Sequence, residues 1–237
     1  MKLTALSWNL HKCKGTDGER NPGRVVSALS AFRPDIAILQ ECDLKFGRKR
    51  GLLDSRALKH ATGLEPADGP DCRGSLGWRG NMLLVGHGIE CISSTRMDLP
   101  SLEPRGAVIW RLSKEEIEFD VIGFHLSLVG TWRTRQAATL AAEIALRKPV
   151  PTIAAGDTND WWARSVALQP LEELLDTRSE RHKTFPAKAP LLPLDRIMAG
   201  RGAKVLSISA KPVSIASDHL PLIAEIEIKM PVLSEIA

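Results

Sequence analysis

Short apolar segments throughout this chain stop at strongly polar side chains. The segments have the length of buried β-strands, and layered α/β folds build their sites where strand ends meet at one sheet edge. A single polar residue in such a place is usually a turn former or a cap. Because the pattern recurs along the chain, it favours a fold that brings these strand ends together. The polar residues concerned are Asn9, Glu41, His125, Asp157, Asn159, Asp195, Asp218 and His219.

The order of the apolar segments predicts an α/β protein in which two sheets pack face to face with helices outside. The first part alternates strand and helix, with Pro22 at the first position of a helix that ends near Pro34. Four short strands then follow one another and are typical of an antiparallel meander: Asn81–Val85, Glu90–Ser94, Ala107–Leu112 and Ile117–Phe124. Further strands are predicted at 2–8, 35–39, 152–155, 195–198, 204–209 and 220–228, and further helices at 55–61, 131–146 and 165–175.

Length and composition indicate one globular domain over residues 1–237, because no repeat, low-complexity stretch or linker interrupts the chain. The net charge of +4 is weak support for a polyanionic partner. The four cysteines lack metal-site or disulfide-framework spacing, no apolar leader precedes Asn9, and no segment is long enough to span a membrane. These features predict reduced thiols and a cytoplasmic protein.

The polar residue types suit phosphate chemistry. Mg²⁺ prefers hard oxygen ligands, one or two of them carboxylates, which Glu41 and an Asp can supply. A water molecule attacking phosphorus needs a carboxylate to orient or deprotonate it, and the developing charge needs His or Asn donors. Neither the GxSxG signature of serine hydrolases nor a phosphate-binding GxxxxGK[ST] loop occurs in the sequence. Ordered water is therefore the expected attacker.

Seven short motifs, in this order, resemble those of the endonuclease/exonuclease/phosphatase superfamily. They are WNLH (8–11), QE (40–41), GNMLLV (80–85), GFHLS (123–127), GDTND (156–160), LDRI (194–197) and SDHLPL (217–222). The resemblance covers nearly the whole chain, and the complete ordered set is far more specific than any one string. It implies a four-layer α/β sandwich and a Mg²⁺-dependent phosphoesterase, with Mn²⁺ as a substitute.

The resemblance also implies a role for each matching residue. Glu41 would be the principal metal ligand, with Asn9 holding the metal shell or the phosphate and Asp218 as a supporting or additional metal carboxylate. Asp157 would align or deprotonate the attacking water, and His219 would face the scissile phosphate. Asn159 would donate a hydrogen bond to the phosphate. Asp195 would be the carboxylate that orients His219, and His125 would assist the phosphate or the leaving group.

The sequence leaves the substrate open. A phosphodiesterase or nuclease is the main hypothesis, a phosphatase or phospholipase-type enzyme acting on lipid or inositol phosphate headgroups is the alternative, and a catalytically silent binding protein is a third. The basic run 45–50 either tracks a phosphodiester backbone or forms a solvated loop. Arg133 and Arg135 begin a helix after His125 and either bind substrate phosphate or lie exposed. Trp161 and Trp162 follow GDTND, where one of them could stack on a base or cover a lipid or a sugar.

Overall fold

The computed structural model describes residues 1–44, 51–68, 77–162, 165–175, 181–213 and 215–229, which form two mixed sheets with helices on their outer faces. The six-stranded sheet has the order β10-β11-β1-β2-β4-β3. Its strands are β1 (Lys2–Asn9), β2 (Ile36–Gln40), β3 (Glu65–Pro66), β4 (Met82–Val85), β10 (Ala203–Ala210) and β11 (Leu222–Ile228). The five-stranded sheet has the order β5-β6-β7-β8-β9. Its strands are β5 (Glu90–Leu99), β6 (Arg105–Lys114), β7 (Ile117–His125), β8 (Thr152–Asp157) and β9 (Asp195–Gly200).

Within the described residues, four α-helices cover the outer faces of the sheets, which completes the four-layer α/β sandwich expected from the sequence. They are α1 (Pro22–Phe32), α2 (Ser55–Thr62), α3 (Gly130–Leu146) and α4 (Gln169–Leu174). In the described part of the chain, no helix is both long and apolar enough to cross a membrane.

Three apolar layers hold the sandwich together, because each buried strand presents side chains to both of its faces. Between the sheets, Ile38 and Trp110 belong to one buried cluster. A second cluster, around Trp8 and Leu29, lies between the six-stranded sheet and α1 and α2. A third, around Phe124, lies between the five-stranded sheet and α3 and α4. The uninterrupted apolar runs of β2 and β8 follow from this double burial.

The predicted meander is correct for β5, β6 and β7, which pair antiparallel in sequence order, but wrong for the strand at 81–85. That strand, β4, pairs with β2 and β3 in the other sheet. The chain changes sheets at Gly86–Ile89, a turn that a sequence pattern does not distinguish from an ordinary hairpin. The predicted helix at 165–175 is also shorter than expected, since only Gln169–Leu174 is helical.

The predicted thiol state can be compared at three of the four cysteines. Cys13, Cys42 and Cys91 are free, and Cys72 lies outside the described residues. Burial raises the pKa of the Cys13 thiol to about 12, a rise that the nearby Arg20 only partly opposes. Such thiols are unreactive near neutral pH.

Gly156, immediately before Asp157, generates the first testable prediction. A Cβ at this position would lie 1.9 Å from the carbonyl oxygen of Phe124, a backbone atom of the neighbouring strand. Gly156→Ala should therefore force the strands apart and lower the free energy of unfolding by at least about 2 kcal/mol, measured by urea denaturation. Gly130→Ala is the control, because its Cβ meets only an ordinary contact, 3.7 Å from Arg133. Equal stability of the two variants would contradict this packing.

Candidate active site

Each sheet contains one parallel pair of strands, and these pairs bring the polar strand ends together. In the six-stranded sheet, Asn9 of β1 is the register partner of Gln40 of β2, so Glu41 follows beside it. In the five-stranded sheet, His125 of β7 is the partner of Asp157 of β8. Parallel strands end at the same edge of a sheet, which explains why residues far apart in sequence become neighbours.

The antiparallel strand β9 completes the second group. Its first residue, Asp195, is the register partner of Asp157. Because an antiparallel partner begins where its neighbour ends, LDRI and GDTND meet at the same edge, although their first members, Leu194 and Gly156, are 38 positions apart (194 − 156).

A hydrogen bond between the sheets joins the two groups. Asn9 Nδ2 donates to Asp157 Oδ2 at 3.0 Å. The other side-chain atom, Asn9 Oδ1, accepts from the backbone N–H of His11 at 3.0 Å. Ser217 Oγ donates to the carbonyl oxygen of Asn9 at 2.7 Å, which brings the loop carrying Asp218 and His219 to the same edge. Asn9 is thus fixed at both ends of its amide and orients Asp157.

Asp195, His219 and Asp157 are buried side by side, with the His219 ring between the two carboxylates. His219 Nδ1 lies 2.9 Å from Asp195 Oδ2, and His219 Nε2 lies 3.8 Å from Asp157 Oδ2. Thr184 Oγ1 donates to the same Asp195 oxygen at 2.5 Å. The indole Nε1–H of Trp8 donates to the carbonyl oxygen of His219 at 2.8 Å. His219 is therefore held both at its imidazole ring and at its backbone, and Nε2 of the ring is directed toward Asp157.

Burial and neighbouring charges move the pKa values of Asp157 and His219 apart. Burial raises the pKa of Asp157 to about 6, and the neighbouring Asp195 adds to the rise while His219 and two hydrogen bonds oppose it. For His219, burial acts to lower the pKa, but the Asp195 carboxylate outweighs it and the pKa rises to about 10. Near neutral pH the pair therefore consists of an ionised Asp157 and a His219 imidazolium, a division suited to one acceptor and one donor.

Asn159 and His125 also lie against Asp157. The backbone N–H of Asn159 donates to Asp157 Oδ1 at 2.8 Å, and Asn159 itself has a left-handed φ of 51°. Asn159 Nδ2 donates to the carbonyl oxygen of Leu126 at 3.0 Å and lies 3.3 Å from His125 Nε2. That imidazole nitrogen is 3.5 Å from Asp157 Oδ2. His125, Asp157, Asn159, Asp195 and His219, the predicted catalytic set, are thus brought together.

Glu41 and Asp218 each face a side chain of a strained turn, His11–Cys13. Lys12 Nζ lies 2.7 Å from Glu41 Oε2, and His11 Nδ1 lies 3.4 Å from Asp218 Oδ2. His11, Lys12 and Cys13 have φ values of 46°, 56° and 55°, and Glu41 has 53°. A left-handed conformation costs a non-glycine residue about 1–2 kcal/mol. Such strain persists only where the surrounding structure imposes it, and it is characteristic of functional sites.

Two sets of side chains are candidates for holding a metal ion: one is a compact cluster in the structure, and the other is the set predicted from the sequence. One comprises Asp157, Asp195 and His219, whose ligand atoms lie within 4.8 Å of one another. In that group the His219 imidazolium is hydrogen-bonded to Asp195, and a protonated imidazole has no lone pair for a metal. The other comprises Glu41, Asp218 and Asn9, the predicted metal ligands. At Glu41 a cation, the Lys12 ammonium, already contacts the carboxylate, which shows that this position favours positive charge.

The two arginines predicted to bind substrate have different surroundings. Arg133 is buried, with Nε 3.1 Å from Asp160 Oδ2 and Nη1 donating to the carbonyl oxygens of Ser127, Leu128 and Asn159. Its guanidinium is thereby committed to joining the loops that follow β7 and β8. Arg135 is exposed and lies over the ring of Trp132, with 5.0 Å from its Cζ to the ring centroid.

Some residues that help to build the site were given no role in the sequence analysis. Thr184 reaches Asp195 from a loop, and Asp160 receives Arg133 and the hydroxyl of Ser165. Only tertiary structure brings these residues to the site. Lys12 is different, because it lies three residues after Asn9 within the same motif region. A cation so close to a predicted metal ligand was a usable signal.

Comparisons with known proteins agree with this architecture. The sequence profile described as Endonuclease/Exonuclease/phosphatase family matches residues 6–219. A relative in Escherichia coli (strain K12), "Uncharacterized protein YbhP", is 33% identical over 165 residues, which span 64% of this chain and 64% of the relative.

Two solved structures share the fold. A functionally unknown conserved protein from Enterococcus faecalis V583 superposes with a TM-score of 0.75 at 18% identity, covering 96% of this chain and 100% of that chain. The D. rerio TDP2 structure complexed with single strand DNA product has a TM-score of 0.68 at 17% identity and covers 95% of this chain and 99% of that chain. At these identities the likeness concerns the fold.

The burial of Arg133 generates the second prediction. Arg133→Met should leave Asp160 as an uncompensated buried charge and lower the free energy of unfolding by about 3–5 kcal/mol. Arg135→Met, the control on the same helix, should change it by no more than about 1 kcal/mol, because Arg135 is exposed and loses only its contact with the Trp132 ring. Thermal or urea unfolding of both variants makes the comparison. If Arg133→Met were as stable as the wild type, the guanidinium would not be the connection between the two loops.

Proposed function

Because the chain belongs to the endonuclease/exonuclease/phosphatase family, a family of metal-dependent hydrolytic phosphoesterases, we propose that it hydrolyses a phosphate ester with a divalent cation and an activated water molecule. The observation that carries the proposal is the Asp157–His219–Asp195 arrangement. An ionised carboxylate with a raised pKa lies beside an imidazolium that a second carboxylate holds in place.

The proposed division of roles follows from charge. Asp157 accepts a hydrogen bond from the attacking water, aligns it and takes its proton, since a carboxylate with a pKa of about 6 is ionised and still basic near neutral pH. His219 donates from Nε2 to a phosphate oxygen, where negative charge develops in the transition state. Asp195 orients His219 and stabilises its positive charge without contacting phosphorus. Buried and hydrogen-bonded, these side chains need little reorganisation during the reaction.

The proposed metal is Mg²⁺, with Mn²⁺ as a substitute, held by Glu41 with Asn9 and Asp218. Carboxylate and amide oxygens are the hard donors that Mg²⁺ prefers, and Mg²⁺ keeps several waters beside one or two carboxylates. The cation contact at Glu41 is the structural observation that fits such a site. When bound, the metal supplies Lewis-acid stabilisation of phosphate charge.

The substrate phosphate would be held by donors around Asp157. Asn159 Nδ2 and His125 Nε2 lie within 3.3 Å of each other and are the proposed phosphate-contacting pair. Arg135, being exposed, stays a candidate for substrate contact. Arg133 is instead proposed as a positioning residue, because four acceptors occupy its guanidinium.

A phosphodiesterase or nuclease activity is the proposed finer function. Trp161 and Trp162 support it, since they follow the Asp157 loop, are 43% and 62% exposed, and place their ring centroids 6.2 Å apart. Exposed aromatic rings are platforms on which nucleic-acid bases stack. The single strand DNA product bound to TDP2, which shares the fold, is consistent with it. The basic run 45–50 lies outside the described residues.

A phosphatase or phospholipase-type activity is the second candidate, and exposed apolar side chains favour it. Leu128 is 60% exposed and Leu191 is 64% exposed, in the segments after β7 and before β9. Apolar residues beside a phosphate site suit a lipid headgroup substrate. A silent binding protein is a third, less favoured reading, because the whole polar set is present.

Two broader proposals concern the whole chain. Strands from β1 to β11 pair within the same two sheets, which supports one domain over residues 1–237. The free thiols of Cys13, Cys42 and Cys91 support a cytoplasmic location, where thiols stay reduced.

A substrate panel tests the proposed function and separates its candidates. Abasic duplex, single-stranded DNA, RNA, a phospholipid and p-nitrophenyl phosphate esters would each be offered with Mg²⁺, with Mn²⁺ and with excess EDTA. We expect metal-dependent release of product that is highest for a phosphodiester. Highest rates on the phospholipid or the monoesters would select the second candidate. Undiminished turnover in EDTA would exclude the metal mechanism, and no turnover on any substrate would favour a binding protein.

Substitutions test the roles of the buried charges. Asp157→Asn and His219→Ala should each lower kcat by about a hundredfold or more, because each side chain acts on the transition state. Asp195→Ala should lower it less, because Asp195 acts through His219. Glu116→Gln is the matched surface control, in the turn at the opposite end of β7. Circular dichroism would check folding, and a folded Asp157 or His219 variant with nearly full kcat would remove that residue from the mechanism.

A further inference from the structure

Lys12 contacts the proposed metal ligand Glu41 through both its side chain and its backbone. Its Nζ lies 2.7 Å from Glu41 Oε2, and its backbone N–H donates to the carbonyl oxygen of Glu41 at 3.1 Å. The two side chains are 26% and 19% exposed, so this ion pair is partly shielded from water. A shielded pair at this distance is stronger than an ordinary surface salt bridge.

The fold holds Lys12 in this place against its backbone preference. Lys12 is the central residue of the left-handed turn His11–Cys13. Hydrogen bonds fix the turn on each side, from the N–H of His11 to Asn9 Oδ1 and from the N–H of Cys13 to the carbonyl oxygen of Leu10. The guanidinium Nε of Arg20 also donates to the carbonyl oxygen of Lys12. The strain is therefore imposed, and its result is an ammonium group beside Glu41.

A divalent cation bound by Glu41 would compete with this ammonium. Two cations a few ångströms apart repel each other, and the repulsion is strong where solvent screening is weak. The backbone of Lys12 is fixed, but its four-carbon side chain is flexible, so Nζ can leave Glu41 while remaining at this edge of the sheets. Arg133, in contrast, is buried with four acceptors and cannot turn toward a ligand without exposing the Asp160 charge.

We propose that Lys12 is a phosphate-binding residue that pairs with Glu41 until a divalent cation displaces it, after which its ammonium binds the non-bridging oxygens of the phosphoryl group. The inference rests on the proposed function for the identity of the ligand. Lysine suits the role, because it is a compact point charge with three donors that can follow a phosphate as it changes shape.

Positive coupling between metal and phosphate follows. The cation frees Lys12 for phosphate, and phosphate, by holding the ammonium away from Glu41, removes the competitor of the cation. Each ligand therefore raises the affinity for the other by the same factor, as thermodynamic linkage requires. An enzyme built in this way binds the metal weakly when alone and firmly together with its substrate.

Titration calorimetry without any turnover tests the proposal. MnCl₂ would be titrated into the metal-free protein, and inorganic phosphate into the Mn²⁺-loaded protein. Lys12→Met should bind Mn²⁺ more tightly than the wild type, by about tenfold, because the competing charge is gone. The same variant, loaded with Mn²⁺, should bind phosphate about tenfold more weakly, because a charge-assisted contact is lost.

Two further variants serve as controls. Lys14→Met removes an equal charge from an exposed side chain two residues away and should leave both affinities unchanged. Lys12→Arg keeps the charge and should keep the Mn²⁺ affinity close to that of the wild type. Thermal unfolding would verify that each protein is folded, and Lys12→Gln would replace Lys12→Met if the latter did not fold.

Either of the two measured affinities, for Mn²⁺ or for inorganic phosphate, can overturn the proposal. Unchanged or weaker Mn²⁺ binding by a folded Lys12 variant would show that the ammonium does not compete for Glu41. Unchanged phosphate binding would show that it is not a phosphate ligand, and a wild type that binds no Mn²⁺ would remove the site itself. Since none of these measurements depends on hydrolysis, they remain distinct from a failure of the substrate panel.

Discussion

The hydrogen bond from Asn9 Nδ2 to Asp157 Oδ2 links the ends of two parallel strand pairs, one in each sheet, and the arrangement of the site depends on it. On one side of this bond lie Glu41 and the turn His11–Cys13. On the other lie His125, Asn159 and, through β9, Asp195. The apolar layer between the sheets sets how closely the two edges approach, so the core determines the distance between the candidate metal ligands and the candidate catalytic carboxylate. A rigid, layered scaffold of this kind preorganises polar side chains at small cost in mobility.

Burying so many charges is costly, and the structure offsets the cost by pairing each with another charge or with several hydrogen bonds. Asp195 is balanced by His219 and Thr184, Asp157 by Asn9 and Asn159, and Asp160 by Arg133. The same pairings keep His219 protonated and leave Asp157 ionised near neutral pH. The pairings that stabilise these buried charges therefore also decide which side chains act as hydrogen-bond donors and which act as acceptors.

Sequence patterns predicted some parts of the molecule better than others. Strands β1, β2, β7 and β8 were predictable because burial on both faces requires uninterrupted apolar runs. The candidate catalytic residues could be proposed because they stand at the ends of those runs. The sheet membership of β4 was not predictable, since a short strand after a turn looks the same whether the chain turns back or crosses over. Arg133 illustrates a second limit. An arginine near a helix start suggests phosphate binding, but the carboxylate that captures it, Asp160, lies 27 residues away.

The sequence by itself determined the family, the reaction class it implies and the residue types at each strand end, because these are local properties that an ordered set of motifs carries. Only the tertiary structure decided which side chains share a hydrogen bond, which arginine is committed to the scaffold, and that Lys12 lies against Glu41. These outcomes depend on strand pairing across long sequence separations and on burial, which alters the strength of every charge interaction. The same carboxylate or ammonium acts as a surface group, a structural partner or a ligand according to what the fold places within about 3 Å of it.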